Sequence, residues 1–84
     1  MEEKEIGLVT HFYGNISVGI IELSDSLKVG DTIHIKGHTS DFNQSIASIQ
    51  IEHKDVPEAG AGDVVGIKVS QKVHVHDKVY KVIA

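Results

Sequence analysis

His74 and His76 stand two residues apart in VHVHD, and on an extended chain that spacing puts both imidazoles on one side, where they could share a metal ion. A closed zinc site asks for about four ligands. The other histidines, His11, His34, His38 and His53, are scattered along the chain, so the sequence is read as holding no metal. With intrinsic pKa values near ~6.5, six histidines would offset much of the acidic charge in mildly acid solution. Serines, histidines and acids are all present, yet there is no G-x-S-x-G elbow, and no catalytic residue is expected. No Gly-Lys dipeptide occurs, so the phosphate-cradling G-x-x-x-x-G-K-[ST] loop is missing, and neither a nucleotide triphosphate site nor any other cofactor is expected.

Binding residues are a different matter. Lys54, in QIEHK, and Lys68, in GIKVS, are candidates for phosphate contact, although lysines alternating with Val and Ile also serve to keep the outer face of a strand soluble. The formal net charge is −4, and every fixed cation is a lysine. Duplex binding draws on a basic field and on the two-pronged grip of arginine, so an unspecific duplex binder is not expected. The absence of cysteine removes disulfides and thiolate metal sites and favours the cytoplasm. MEEKEIG carries acid where a signal peptide needs a basic region, no run approaches the roughly 20 apolar residues of a membrane span, and the chain is expected to be soluble and to start where its gene starts.

These residues must be carried by strands. A chain of 84 residues has room for one domain, and its apolar content is dominated by Val and Ile, whose β-branching suits strands. In EIGLVTHF the period of two sets Ile6, Leu8 and Phe12 on one side, and Tyr13-Gly14-Asn15 supplies a hairpin turn to ISVGIIEL, whose phase slips between Ile20 and Ile21 and suggests a bulge or a segment buried on both sides. VGDTIHIKG and GAGDVVGIKV share one device, a Gly-Asp corner followed by alternating apolar residues, and HDKVYKV is a looser third version. Gly tolerates the tight corner and Asp bonds nearby backbone N–H groups, so Gly14, Gly30, Asp31, Gly62, Asp63 and Asp77 are read as structural turns. The run from Phe42 to His53 changes phase near Ala47-Ser48, and HKDVPEAGAG, with the lone proline, reads as the one long loop, pinned by Val56 and Ala59. No segment has helical periodicity beyond a short turn within that loop.

In order, LKVGDTIHIKG, SIASIQIEHKDVPEAGAGDVVGIKV and the closing HDKVY resemble the second domain of translational GTPases such as elongation factor Tu, over nearly the whole chain. The chain is also similar to small stand-alone elongation-factor-like barrels and to the barrel appended to some collagenase-like peptidases. The resemblance implies an all-β fold, a closed six-stranded Greek-key β-barrel over residues 5–84 after a flexible stretch 1–4. It implies a non-catalytic binding module tied to translation or RNA, with tRNA, the ribosome or a translation-related protein as partner and no membrane. By motif register Gln50 and Ser70 fall in the pocket for the aminoacyl end, where elongation factor Tu carries Glu and Arg, and His53, Lys54 and Lys68 lie beside them as contact candidates. His76-Asp77 stands where the family has Arg-Gly, and the GTPase is missing. The alternative is a protein-docking module for a separate peptidase-like or other enzyme, as the fused barrels are in cis.

Overall fold

The computed structural model describes residues 2–83, and among them there is no helix. The strands are β1 (Glu3–Tyr13), β2 (Val18–Leu23), β3 (Leu27–Lys28), β4 (Thr32–Lys36), β5 (Asp41–Ser45), β6 (Ile49–Ile51), β7 (Lys54–Val56), β8 (Glu58–Ala59), β9 (Val64–Lys68) and β10 (Lys78–Val82). The expected all-β class is what the structure has. β1 begins inside the stretch 1–4 expected to fray: Glu3 and Lys4 pair with Val82 and Lys81 of β10. Lys4 also bonds Asp25 and holds that carboxyl below its ordinary range.

Closure of the sheet differs from expectation. Eight strands form one sheet in the order β5-β4-β10-β1-β2-β9-β6-β7, β3 and β8 form a separate pair, and no sheet among the described residues closes into a six-stranded barrel. The sheet curls until edge strand β5 faces the chain just beyond β9, but a side chain spans the seam instead of a backbone ladder. Gln44 donates its amide N–H to the Lys68 carbonyl at 2.9 Å and accepts the Ser70 N–H at 2.8 Å. A primary amide has the same donor and acceptor as a peptide unit, so one Gln satisfies groups that a closing strand would otherwise pair.

The three corners are one structure repeated. The carboxylates of Asp31, Asp63 and Asp77 each accept the N–H of the residue three before, Lys28, Gly60 and His74, each at 2.9 Å. The third position of each turn has positive φ, 97° at Gly30, 89° at Gly62 and 76° at His76, as a type II turn requires. Each corner then clamps one buried apolar residue of a neighbouring segment through a reciprocal pair of backbone bonds. Gly30 N–H and Asp31 C=O hold Ile46, Gly62 and Asp63 hold Leu23, and His76 and Asp77 hold Val9, all at 2.8–2.9 Å. The looser third copy therefore has the same geometry as the first two, with histidine in the left-handed position.

The core is built from the inward residues of these strands, among them Ile6, Val9, Ile21, Ile33, Ile35, Ile49, Val65, Ile67 and Val79, together with Leu27 and Ala59 from the small sheet. Burying each such aliphatic side chain stabilises the fold by about 1.5–3 kcal/mol before chain entropy is counted. Ile6 and Val9 are buried while Leu8 and Phe12 are only half-buried, because β1 carries two register shifts, one between Glu5 and Gly7 against β10 and one between Val9 and His11 against β2. The bulge expected in β2 thus lies opposite, in β1, and β2 alternates cleanly with Val18, Ile20 and Glu22 outward. The β1–β2 turn spans Gly14–Ser17, and its left-handed residue is Ser17 at φ 56°, so Gly14 sits in the turn without taking a glycine conformation. HKDVPEAGAG, expected as one loop, contributes β7 and β8 instead, since Pro57 lies between them and its carbonyl accepts the Val29 N–H at 3.0 Å.

Candidate functional site

A groove of about 570 Å³ runs across the outer face of β1, β2, β9 and β6. Its middle row is set by the ladder register: His11 stands beside Ile20, Ile20 beside Gly66, and Gly66 beside Gln50. Tyr13, Ile16 and Val64 project on the rim with about half of each exposed, at 49%, 57% and 51%, so this outward face is apolar where solubility would favour polar residues. The His11 and Tyr13 rings lie nearly parallel, 9° apart with centroids at 6.4 Å, and form a stacked pair at one side of the groove.

The opposite wall is a strained hairpin tip. Glu52 and His53 join β6 to β7 and both have positive φ, 51° and 65°. A two-residue turn of this kind usually takes Asn-Gly, because a side chain on a left-handed residue costs of order 1–2 kcal/mol. Both residues line the groove. Strain of this type collects where a surface is used.

The five contact candidates separate into two places. Gln50 and His53 line the groove, and Gln50 donates to the Asp55 carboxylate at 3.1 Å. Lys54 is exposed next to the tip, on edge strand β7. Lys68 and Ser70 lie instead at the seam, where their backbone groups bond Gln44, and Ser70 borders a second recess of about 350 Å³ with Phe12 and Val69. His11, Tyr13, Ile16, Ile20 and Val64 were not singled out as site residues. Ile20 and Val64 stand in the outward phase of β2 and β9, Ile16 lies in the β1–β2 turn, and the bulge in β1 between Val9 and His11 sets the phase of His11 and Tyr13.

Other clusters are structural in arrangement. His74 lies in a turn rather than on a strand, and its Nδ1 is 3.3 Å from Thr39 Oγ1, 3.4 Å from Ser40 Oγ and 3.9 Å from the Asp77 carboxylate. All three neighbours crowd one ring nitrogen, whereas a proton relay needs acid and hydroxyl on opposite nitrogens. His34 is bound on both sides, Nδ1 to Glu3 at 2.9 Å and Nε2 to Asp41. The Glu3 and Asp41 bonds raise its pKa above the ordinary value, against the opposing effect of desolvation. Its carboxylates occupy opposite ring edges and do not converge, and no group of three or more His, Asp or Glu side chains suited to a metal occurs among the described residues.

No protein-family profile matches the chain. Over 77 residues it is 47% identical to the uncharacterized protease MJ0090 of Methanocaldococcus jannaschii, a match that covers 90% of this chain and 19% of that protein. The chain thus spans about a fifth of the length of that curated relative. Its fold is that of the C-terminal domain of a U32 peptidase-type protein from Geobacillus thermoleovorans, with a TM-score of 0.89 at 19% identity over 95% of this chain and 93% of that one. The selenomethionine variant of the same domain gives 0.86 at 19% identity, over 90% and 96%. These relatives correct the likeness to the second domain of translational GTPases, and the translation and RNA-binding expectations drawn from it fall with it. Gly-Asp corners and alternating Val and Ile specify a backbone path, and a path does not name its partner. By sequence the chain is similar to one stretch of a protease, and by fold to the C-terminal domain of a U32 peptidase-type protein.

Proposed function

We propose that the chain is a non-catalytic docking module for a peptidase-like protein and that the outer face of β1, β2, β9 and β6 makes the contact. The observation that carries this reading is the 47% identity to a stretch forming 19% of a protease, which puts the same sequence pattern beside a much larger protein. An exposed groove rimmed by Tyr13, Ile16 and Val64 supports a protein partner, since aromatic and aliphatic side chains are what the buried centre of a protein interface uses. The crowding of Thr39, Ser40 and Asp77 about one nitrogen of His74 supports the absence of a catalytic step.

The test is co-expression of the chain with the Methanocaldococcus protease from which the matched stretch has been deleted, followed by gel filtration. Co-elution as a defined complex is expected. Separate elution at protein concentrations of tens of micromolar, or peptide hydrolysis by the purified chain alone, refutes the reading.

A further inference from the structure

Gly66 lies in the middle of β9, where glycine weakens a strand, and the fold gives it neither of the usual reasons to be there. Its φ is not in the left-handed range that Gly30 and Gly62 adopt. Nor is it packed tight: a Cβ built there would meet Val18 at 3.5 Å and Ile20 at 3.6 Å, ordinary contact distances, whereas one at Gly7 would come within 2.8 Å of Ile21 and one at Gly37 within 1.8 Å of Asp77. What this glycine provides is an empty floor under the groove, and glycine in a strand is a common mark of close approach by a ligand or another chain.

The carboxylates and ammonium groups that line the groove itself are one-sided. Glu52 and Asp63 line the groove, and no lysine lines it among the described residues. Glu22, beside Val64, and Asp55, beside Gln50, lie outside that lining. Lys54 and Lys68, the lysines nearest in register, stand outside the lining. We infer that the groove over Gly66 receives one large apolar side chain of an extended segment flanked by lysine or arginine, presented by the peptidase-like partner. The volume suits a large side chain with its flanking peptide, and Ile20 and the stacked His11–Tyr13 rings give that side chain apolar and aromatic contact. Glu52 and Asp63 meet the flanking cations. This rests on the docking reading above.

Two probes separate the inference from that reading. The first is a pair of labelled nonapeptides with a central Phe, flanked by Lys in one and by Glu in the other, measured by fluorescence anisotropy. The second is the truncated protease used above. The Lys-flanked peptide is expected to bind the wild-type chain at least about tenfold more tightly than the Glu-flanked one. Gly66→Val, whose added atoms fill the floor, is expected to abolish peptide binding and the protease complex with an unchanged circular dichroism spectrum. Glu52→Gln, which leaves the floor open, is expected to reduce the preference for Lys several-fold. Equal binding of both peptides, no binding of either, or full binding by folded Gly66→Val overturns the inference. A protease complex formed equally by wild type and Gly66→Val leaves the docking reading standing and removes this one. Peptide discrimination without a protease complex removes the docking reading and, with it, the peptidase-like partner named here, leaving only the preference of the groove for a cation-flanked apolar side chain.

Discussion

Gly37 and Asp77 form a pair whose coupling follows directly from the third corner. The Asp77 carboxylate is buried, with 4% of the residue exposed, and one oxygen accepts the His74 N–H at 2.9 Å. The other lies against Gly37, where a built Cβ would approach it to 1.8 Å. Asp77→Ala removes a hydrogen bond to a charged acceptor and leaves a donor unpaired, a loss of about 2–3 kcal/mol. Asp31→Ala removes the same bond at a half-buried corner where water can replace the carboxylate, a loss of about 1 kcal/mol. Gly37→Ala keeps an ordinary backbone conformation but drives a methyl into the carboxylate, a loss of about 2–3 kcal/mol from overpacking. In the double variant the methyl occupies space that the carboxylate has vacated, so the two losses must not add, and the coupling should recover at least about 1 kcal/mol. Urea unfolding followed by circular dichroism measures all four proteins. For a domain of this size 1 kcal/mol moves Tm by roughly 4–8 °C, so thermal melts give an independent reading. Additivity within about 0.5 kcal/mol, or equal losses for Asp77→Ala and Asp31→Ala, refutes the geometry of the corner.

Three further outcomes are expected. His76→Gly relieves a left-handed histidine at φ 76° and should raise stability by up to about 1 kcal/mol after the entropy cost of glycine, whereas Gly62→Ala at the equivalent position should lower it; a drop in Tm for His76→Gly would contradict the equivalence of the corners. Because the folded-state pKa of His34 is raised above its unfolded value near ~6.5, the stability it adds is complete below that pH and is lost as pH climbs through the folded value. Tm measured across neutral to mildly alkaline pH should fall for the wild type and fall less for His34→Gln. Gln44→Ala opens the seam by deleting both of its bonds to the Lys68 and Ser70 backbone, and should cost about 1–3 kcal/mol and accelerate amide exchange at Ser70; unchanged exchange there would show that the seam is held by something else.

The chemistry of the three corners was legible in the sequence because it is local: a carboxylate, a backbone N–H three residues away and one residue free to take positive φ are contained in four consecutive positions. The same local rule missed Ser17, Glu52 and His53, since non-glycine residues in left-handed conformations carry no signal in their own chemistry. Gln50 and His53, named on a likeness the relatives corrected, line the groove, and its apolar lining residues carry no such signal in the sequence. The β1 bulge decides which side of that strand meets β2, and a bulge is a property of the pair of strands rather than of either one.

By itself, then, the order of residues determined the class of structure and the positions of its corners, because turn chemistry and the two-residue period of a strand act over a few positions. Tertiary structure alone decided that the sheet stays open, with Gln44 reaching groups 24 and 26 residues away, and that His11, Ile20, Gly66 and Gln50 line up as one row. Those outcomes depend on curl and register summed over the whole sheet, and neither is encoded at any one place along the chain.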